Sequence, residues 1–292
     1  MANVNPRFSR IATNGIQLHV AEAGPPRGPL VFLLHGFPEF WFGWRKQIAP
    51  LAERGFHVVA PDQRGYNLSD KPRGVDAYDL DRLAADVLGL ADHFGQETFA
   101  VAGHDWGGTI GWWLASGPSG RLRQLVALNA PHPAVWLEAM RTNPVQRKKS
   151  GYVRLFRMPW LPELLIGLNR SKALSKGFHD CTGPDAFTAS TLEQYRRAWF
   201  QPGALTATIN YYRALLKKPL LPAAQYRVGC ATLVIWGKQD AYAIPELAET
   251  SARLCAKSEV VYFENASHWV QHDEPGEVSR LLAEYFTENG RS

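Results

Sequence analysis

The sequence predicts an α/β protein: a doubly wound, mostly parallel sheet with a helical cap inserted into it. Three observations carry that expectation. Short apolar runs recur along the chain, amphipathic helical patterns lie between them, and one long interval lacks the runs altogether. A chain of 292 residues that is 46% hydrophobic and 20% charged has ample interior to fill, so disorder is excluded.

Arg7 to Ala23 alternates apolar and polar residues around Asn14-Gly15, the pattern of a hairpin, and is expected to supply two antiparallel edge strands. Leu30-Val31-Phe32-Leu33-Leu34 then reads as a strand buried on both faces of a parallel sheet. The same short buried unit recurs at His57–Ala60, Thr98–Ala102, Gln124–Leu128, Thr232–Trp236 and Glu259–Phe263. Helical periodicity separates the runs, for instance Leu80, Leu83, Val87, Leu90 and Phe94 on one face, and again from Glu277 to Phe286. From His132 to Pro222 helices, prolines and aromatics replace the buried runs. We read residues 132–222 as a cap above the carboxyl edge of a core formed by 1–131 and 223–292, the edge where such folds bind ligands.

Composition excludes several function classes. No apolar run approaches the ~18 residues of a membrane span, and Met1 to Arg7 lacks a signal-like apolar stretch, so a cytoplasmic protein with no membrane partner is expected. Cys181, Cys230 and Cys255 have neither disulfide nor zinc spacing and are expected to be buried free thiols. The net charge of +5 rests on small clusters, Arg147-Lys148-Lys149 and Lys217-Lys218, which suit solvated helix faces better than a nucleic-acid partner. His268 and His272 stand four apart, yet no third ligand follows at metal-site spacing, so no metal is expected.

Gly103-His104-Asp105-Trp106-Gly107-Gly108 follows a buried strand and precedes the small-residue helix Gly107 to Ala115. That is the setting of a nucleophile elbow, G-x-S-x-G, with Asp105 in the serine's place and glycines two before and two after it. A carboxylate of ordinary pKa ~3.9 is ionised at neutral pH and attacks without a base. Attack on saturated carbon leaves an alkyl ester, and a histidine must then direct water at it. Such folds order the triad as nucleophile, acid, histidine. Asp240, just past the strand ending at Trp236, and His268, just past the strand ending at Phe263, fit that order. Asp240 would hold the imidazole's tautomer. The turn His35-Gly36-Phe37-Pro38 aims a backbone N–H across the sheet edge, so Phe37 and Trp106 are the expected oxyanion-hole donors. No G-x-S-x-G occurs, which excludes a serine esterase.

HGFPEFWFGW, DQRGYNLSDKP, GHDWGG, LNAPHP, NYYRA and SHWVQHDEP together resemble a soluble epoxide hydrolase of the α/β-hydrolase fold, over nearly the whole chain. GHDWGG is shared with haloalkane dehalogenases. The resemblance implies a cofactor-independent enzyme, active as a monomer or homodimer, that opens a small epoxide with water. It also implies two cap tyrosines that protonate the opening oxygen. Tyr212 matches the motif in Asn210-Tyr211-Tyr212-Arg213-Ala214, and Tyr152 is placed as the other, although some members carry that tyrosine three residues later, where Leu155 stands. Fluoroacetate dehalogenases have arginines after the nucleophile, where this chain has Trp106 and Thr109, which disfavours an acidic substrate. Phe37, Trp41, Trp106, Trp136, Trp160 and Trp269 are candidates to line an apolar pocket, with Phe37, Trp106 and Trp269 as substrate contacts. A halide leaving group on the same nucleophile, and a catalytically silent ligand-binding protein, remain as alternatives.

Overall fold

The structure, a computed structural model, describes residues 5–168, 172–178, 180–183 and 186–288. Its first two strands, β1 (Arg7–Thr13) and β2 (Ile16–Ala23), pair antiparallel through Asn14 and Gly15 at φ 47° and 76°. Two successive positive φ values match the turn twist to the strand twist, which is why Asn-Gly suits this site. The remaining strands are β3 (Leu30–Leu34), β4 (His57–Pro61), β5 (Phe99–His104), β6 (Leu122–Leu128), β7 (Ala231–Gly237) and β8 (Ser258–Phe263). They form one sheet in the order β1-β2-β4-β3-β5-β6-β7-β8. β2 is antiparallel to both β1 and β4, and the pairs from β4 through β8 are parallel.

Two expectations need correction here. Of the two hairpin strands β1 alone is an edge strand, because β2 pairs with β4 on its other side and so lies within the sheet. β8 is not a buried run either: it closes the opposite edge, with Ser258 and Glu259 exposed and the rest half-buried. Its apolar residues resemble those of an interior strand, but nothing pairs beyond it.

Both faces of the sheet are covered. Helices Arg45–Glu53 and Pro275–Glu288 share a core with one face, where Ile48, Leu51, Val278 and Leu282 pack with Val31 and Leu33. Helices Leu80–His93 and Trp106–Ser116 belong to the other core, with Leu83, Val87 and Ile110 against Phe32 and Val101. Alternate residues of β3 serve opposite cores, as the two-residue period of a strand requires. Asp79 starts the first of these helices by accepting from the Arg82 N–H at 2.9 Å.

Between β6 and β7 the described residues form helices and no strand, including Pro133–Thr142, Tyr152–Phe156, Leu161–Leu168, Ala189–Trp199 and Ala204–Leu215. Asn143 caps the helix Pro144–Lys149, accepting from the N–H groups of Val145 and Gln146. The thiols of Cys181, Cys230 and Cys255 are free, but half-buried rather than buried. Among the described residues no helix is long and apolar enough to cross a membrane, and no cluster of side chains could hold a metal ion.

Candidate active site

Parallel strands end on one edge of the sheet, so residues that follow β3, β5, β6 and β7 converge although they are far apart in sequence. Asp105 sits at the turn between β5 and its helix with φ 51° and ψ −115°, a conformation that side-chain-bearing residues rarely adopt. Its neighbours explain how the strain is held. A Cβ on Gly107 would come within 2.0 Å of the Leu34 carbonyl oxygen, and one on Gly36 within 2.4 Å of the Asp105 Cβ. Only bare backbone lets the elbow press against β3.

The Phe37 N–H donates to Asp105 Oδ1 at 2.8 Å. The other carboxylate oxygen, Oδ2, stands 3.8 Å from His268 Nε2, too far for a hydrogen bond. His268 Nδ1 meets Asp240 Oδ2 at 2.8 Å. Trp106 is the first residue of its helix, where backbone N–H groups have no helical carbonyl to bond.

Asp240 is saturated. Its Oδ1 accepts from the N–H groups of Tyr242 and Ala243 at 2.6 and 2.9 Å, and its Oδ2 accepts from Asn129 Nδ2 at 2.8 Å besides facing His268. Burial raises its pKa, but the His268 imidazole and these donors outweigh burial and hold it below the usual carboxylate range. For His268 burial disfavours the cation, yet Asp240, and beyond it Asp105, raise its pKa above the ordinary value.

A cavity of about 700 Å³ opens beside this group, and a second of about 40 Å³ adjoins it. Asp105, Tyr152, Tyr212, Tyr242 and His268 line both, so they form a waist between a large and a small lobe. Phe37, Leu155, Phe156, Leu165, Ile166 and Trp269 give the large lobe an apolar wall. Trp106, Thr109, Pro133, Trp136 and Leu215 bound the small one. The rings of Tyr152 and Tyr212 stand 5.8 Å apart and nearly perpendicular, and Tyr212 also meets Trp106 edge-on at 5.0 Å. Burial first, and nearby charge including Asp105, raise the pKa of both phenols, so they stay protonated at neutral pH.

Thus Asp105, His268, Asp240, Phe37, Trp106, Tyr152 and Tyr212 meet at one place, as do Trp269 and Trp136. Leu155, the alternative site for a tyrosine, lines the large lobe beside Tyr152. Two aromatics do not join them. Trp41 packs against Phe8, Phe40 and Phe42, and Trp160 is 67% exposed on an outer groove with Arg157 and Lys217. Sequence reasoning missed Asn129 and Tyr242. Asn129, at φ 43°, ties the end of β6 to β7, its amide accepting from Gly237 N–H at 2.9 Å while donating to Asp240. Its position at a strand end in Leu-Asn-Ala-Pro was the available signal. Tyr242 follows the acid by two residues, and its ring lies 5.0 Å from that of His268.

The model of the α/β-hydrolase fold family matches residues 29–275. An AB hydrolase superfamily protein, YfhM of Bacillus subtilis, is 45% identical over 280 residues, covering 94% of this chain and 96% of its own. Epoxide hydrolase 4 of Homo sapiens is 36% identical over 291 residues, covering 97% of this chain and 79% of its own. The crystal structure of Bacillus megaterium epoxide hydrolase in complex with an inhibitor superposes with a TM-score of 0.84 at 30% identity, covering 96% of this chain and 100% of that one. With fold, motifs and relatives in agreement, this chain belongs to the α/β-hydrolase fold family, in the group that holds the epoxide hydrolases.

Proposed function

We propose that this protein opens an apolar epoxide to a vicinal diol in two steps. Asp105 Oδ2, free of hydrogen bonds to His268, attacks an epoxide carbon while Oδ1 stays held by the Phe37 N–H. The ring C–O bond breaks, and Tyr152 or Tyr212 donates its proton to the departing oxygen. His268 then takes a proton from water, and the hydroxide adds to Asp105 Cγ. The resulting oxyanion lies at Oδ1, where the N–H groups of Phe37 and Trp106 stabilise it; collapse breaks the ester C–O bond, the departing diol oxygen takes the Asp105 carboxyl proton, and the proton on His268 returns to the phenolate. Asp240 orients the imidazole and stabilises its charged form. Residues 132–222 serve as a cap over the core of 1–131 and 223–292, supplying both phenols.

The observation that carries the reading is a pair of protonated phenols, Tyr212 buried and Tyr152 half-buried, that line one cavity with a carboxylate oxygen His268 does not bond. A halide leaves as a stable anion and needs no proton, so paired phenols favour the epoxide. The lobes indicate the substrate shape. The small lobe is far the narrower, about 40 Å³ against 700 Å³, so the larger apolar substituent goes into the large lobe and the smaller one into the other.

A single turnover of styrene oxide in heavy-oxygen water tests the mechanism. The label is expected in the Asp105 carboxylate, and product formed without it would refute a covalent ester. Asp105→Asn is expected to form no ester by intact mass and to lose activity by more than ~10⁴-fold.

A further inference from the structure

Ten large apolar side chains are exposed among the described residues, and six of them lie from Val145 to Leu168. Scattered exposed leucines are ordinary, whereas a cluster marks a contact surface. The helix Leu161–Leu168 buries only Pro162 and Ile166, leaving Leu164, Leu165 and Leu168 exposed. Just before it, Trp160 takes φ 51°, a left-handed conformation that bulky residues rarely adopt, and is 67% exposed.

Charge follows the same segment. Of the chain's 32 lysines and arginines nine lie in residues 141–176, which hold a single one of its 27 acids, Glu163. That acid is engaged by Arg213 at 2.7 Å. Elsewhere acids outnumber bases, so the positive charge of the protein is concentrated here. The large lobe opens at this place too, because Leu165, Leu168 and Ala173 line it and are exposed. Exposed Arg154, Lys172 and Lys176 are the chain neighbours of the lining residues Leu155, Ala173 and Gly177.

We propose that this face docks on an anionic lipid surface, with Met158, Trp160 and Leu164 entering the headgroup region and Arg154, Arg157 and Lys172 meeting lipid phosphates. An apolar ridge with an outward tryptophan and a basic border is the composition of an interfacial segment. A second copy would bring the same positive charge against it and be repelled. The absence of a spanning run bears on a transmembrane partner and not on peripheral contact. Docking turns the mouth of the large lobe toward the bilayer, where apolar substrates concentrate. That last clause rests on the epoxide reading; docking does not.

The full chain should sediment with vesicles of equimolar phosphatidylcholine and phosphatidylglycerol, less as salt rises, and not with phosphatidylcholine alone. Arg154→Gln with Arg157→Gln should lower the partition constant about 25-fold, on about five-fold per charge. Trp160→Ser with Leu164→Ser should lower it independently, and both variants should keep wild-type circular dichroism and turnover of dissolved styrene oxide. An epoxide on a long alkyl chain, held in the anionic vesicles, should be turned over more slowly by both. Equal sedimentation with both vesicle types, undiminished binding by the charge variant, or a dimer in light scattering that Trp160→Ser with Leu164→Ser dissolves would overturn the proposal. If the wild type docks but turns over neither epoxide, docking stands and the epoxide reading falls.

Discussion

His268 and His272 are one turn apart in sequence, and each faces a buried carboxylate: Asp240 at 2.8 Å and Glu39 at 2.7 Å. The two pairs share their chemistry and differ in their surroundings. Both acids are held below the usual carboxylate range, Glu39 well below it, because neighbouring imidazoles and hydrogen bonds outweigh burial. The histidines diverge. Burial opposes the charge on each, but His268 gains a second carboxylate in Asp105, which helps raise its pKa, whereas Arg45 and His104 add to burial around His272 and lower it. Glu39 is also bound by Tyr195 Oη at 2.7 Å and Gln271 Nε2 at 3.0 Å, so that pair ties three distant segments together without lining either lobe. Of the two pairs only the first faces a cavity and a second carboxylate.

The largest contrast is expected from parallel substitutions. His268→Gln should slow ester hydrolysis by ~10⁴-fold or more and let an adduct accumulate on Asp105, visible by intact mass. His272→Gln should accumulate none. An adduct in both would break the distinction between the pairs.

Next come the phenols, which face the first pair alone. Tyr212→Phe and Tyr152→Phe should each lower the rate of ester formation by ~10²-fold in single-turnover kinetics, and the double variant by more. A rate unchanged in both would transfer the proton to another donor.

Stability should show the reverse order. His272→Gln takes one donor from buried Glu39, which keeps Tyr195 Oη and Gln271 Nε2, so chemical denaturation should report a loss of about 1–3 kcal/mol. The expected loss for His268→Gln is smaller, because Asp240 keeps three other donors.

pH separates the pairs most finely. The base must be neutral, and the His268 pKa lies above 6.5, so kcat limited by ester hydrolysis should rise with pH through a midpoint on the alkaline side of 6.5. A midpoint below 6.5 would contradict the raised value. His272 and His35 are lowered, and His132 is lowered to about 4, all with burial as the leading cause. Groups depressed by folding bind protons first in the unfolded chain, so their stabilising contribution is full above 6.5 and is lost as pH falls toward 4. His268 acts oppositely, its contribution being full below 6.5 and lost as pH rises through its folded value. Denaturation midpoints across this range measure the sum.

Much of this was legible before folding. Asn14-Gly15, the apolar run of β3 and the glycines around Asp105 act through backbone preference, which is local. The edges were not legible, since β8 has the residues of an interior strand and only the absence of a further neighbour exposes it. Trp41 and Trp160 were candidates for the pocket wall on composition alone, and composition does not say which way a ring faces. Asn129 and Tyr242 went unread because their roles are bonds to Asp240 and contact with His268, which no spacing encodes.

By itself, the sequence determined the order of the elements, the elbow with a carboxylate in place of serine, and the acid and histidine at later strand ends, because turns and buried runs are written in neighbouring residues. The tertiary structure alone decided which of two chemically equal histidine–carboxylate pairs meets a cavity, how unequal the two lobes are, and where the large one opens. Those outcomes depend on distances between segments up to a hundred residues or more apart, and on the field and burial that such packing creates.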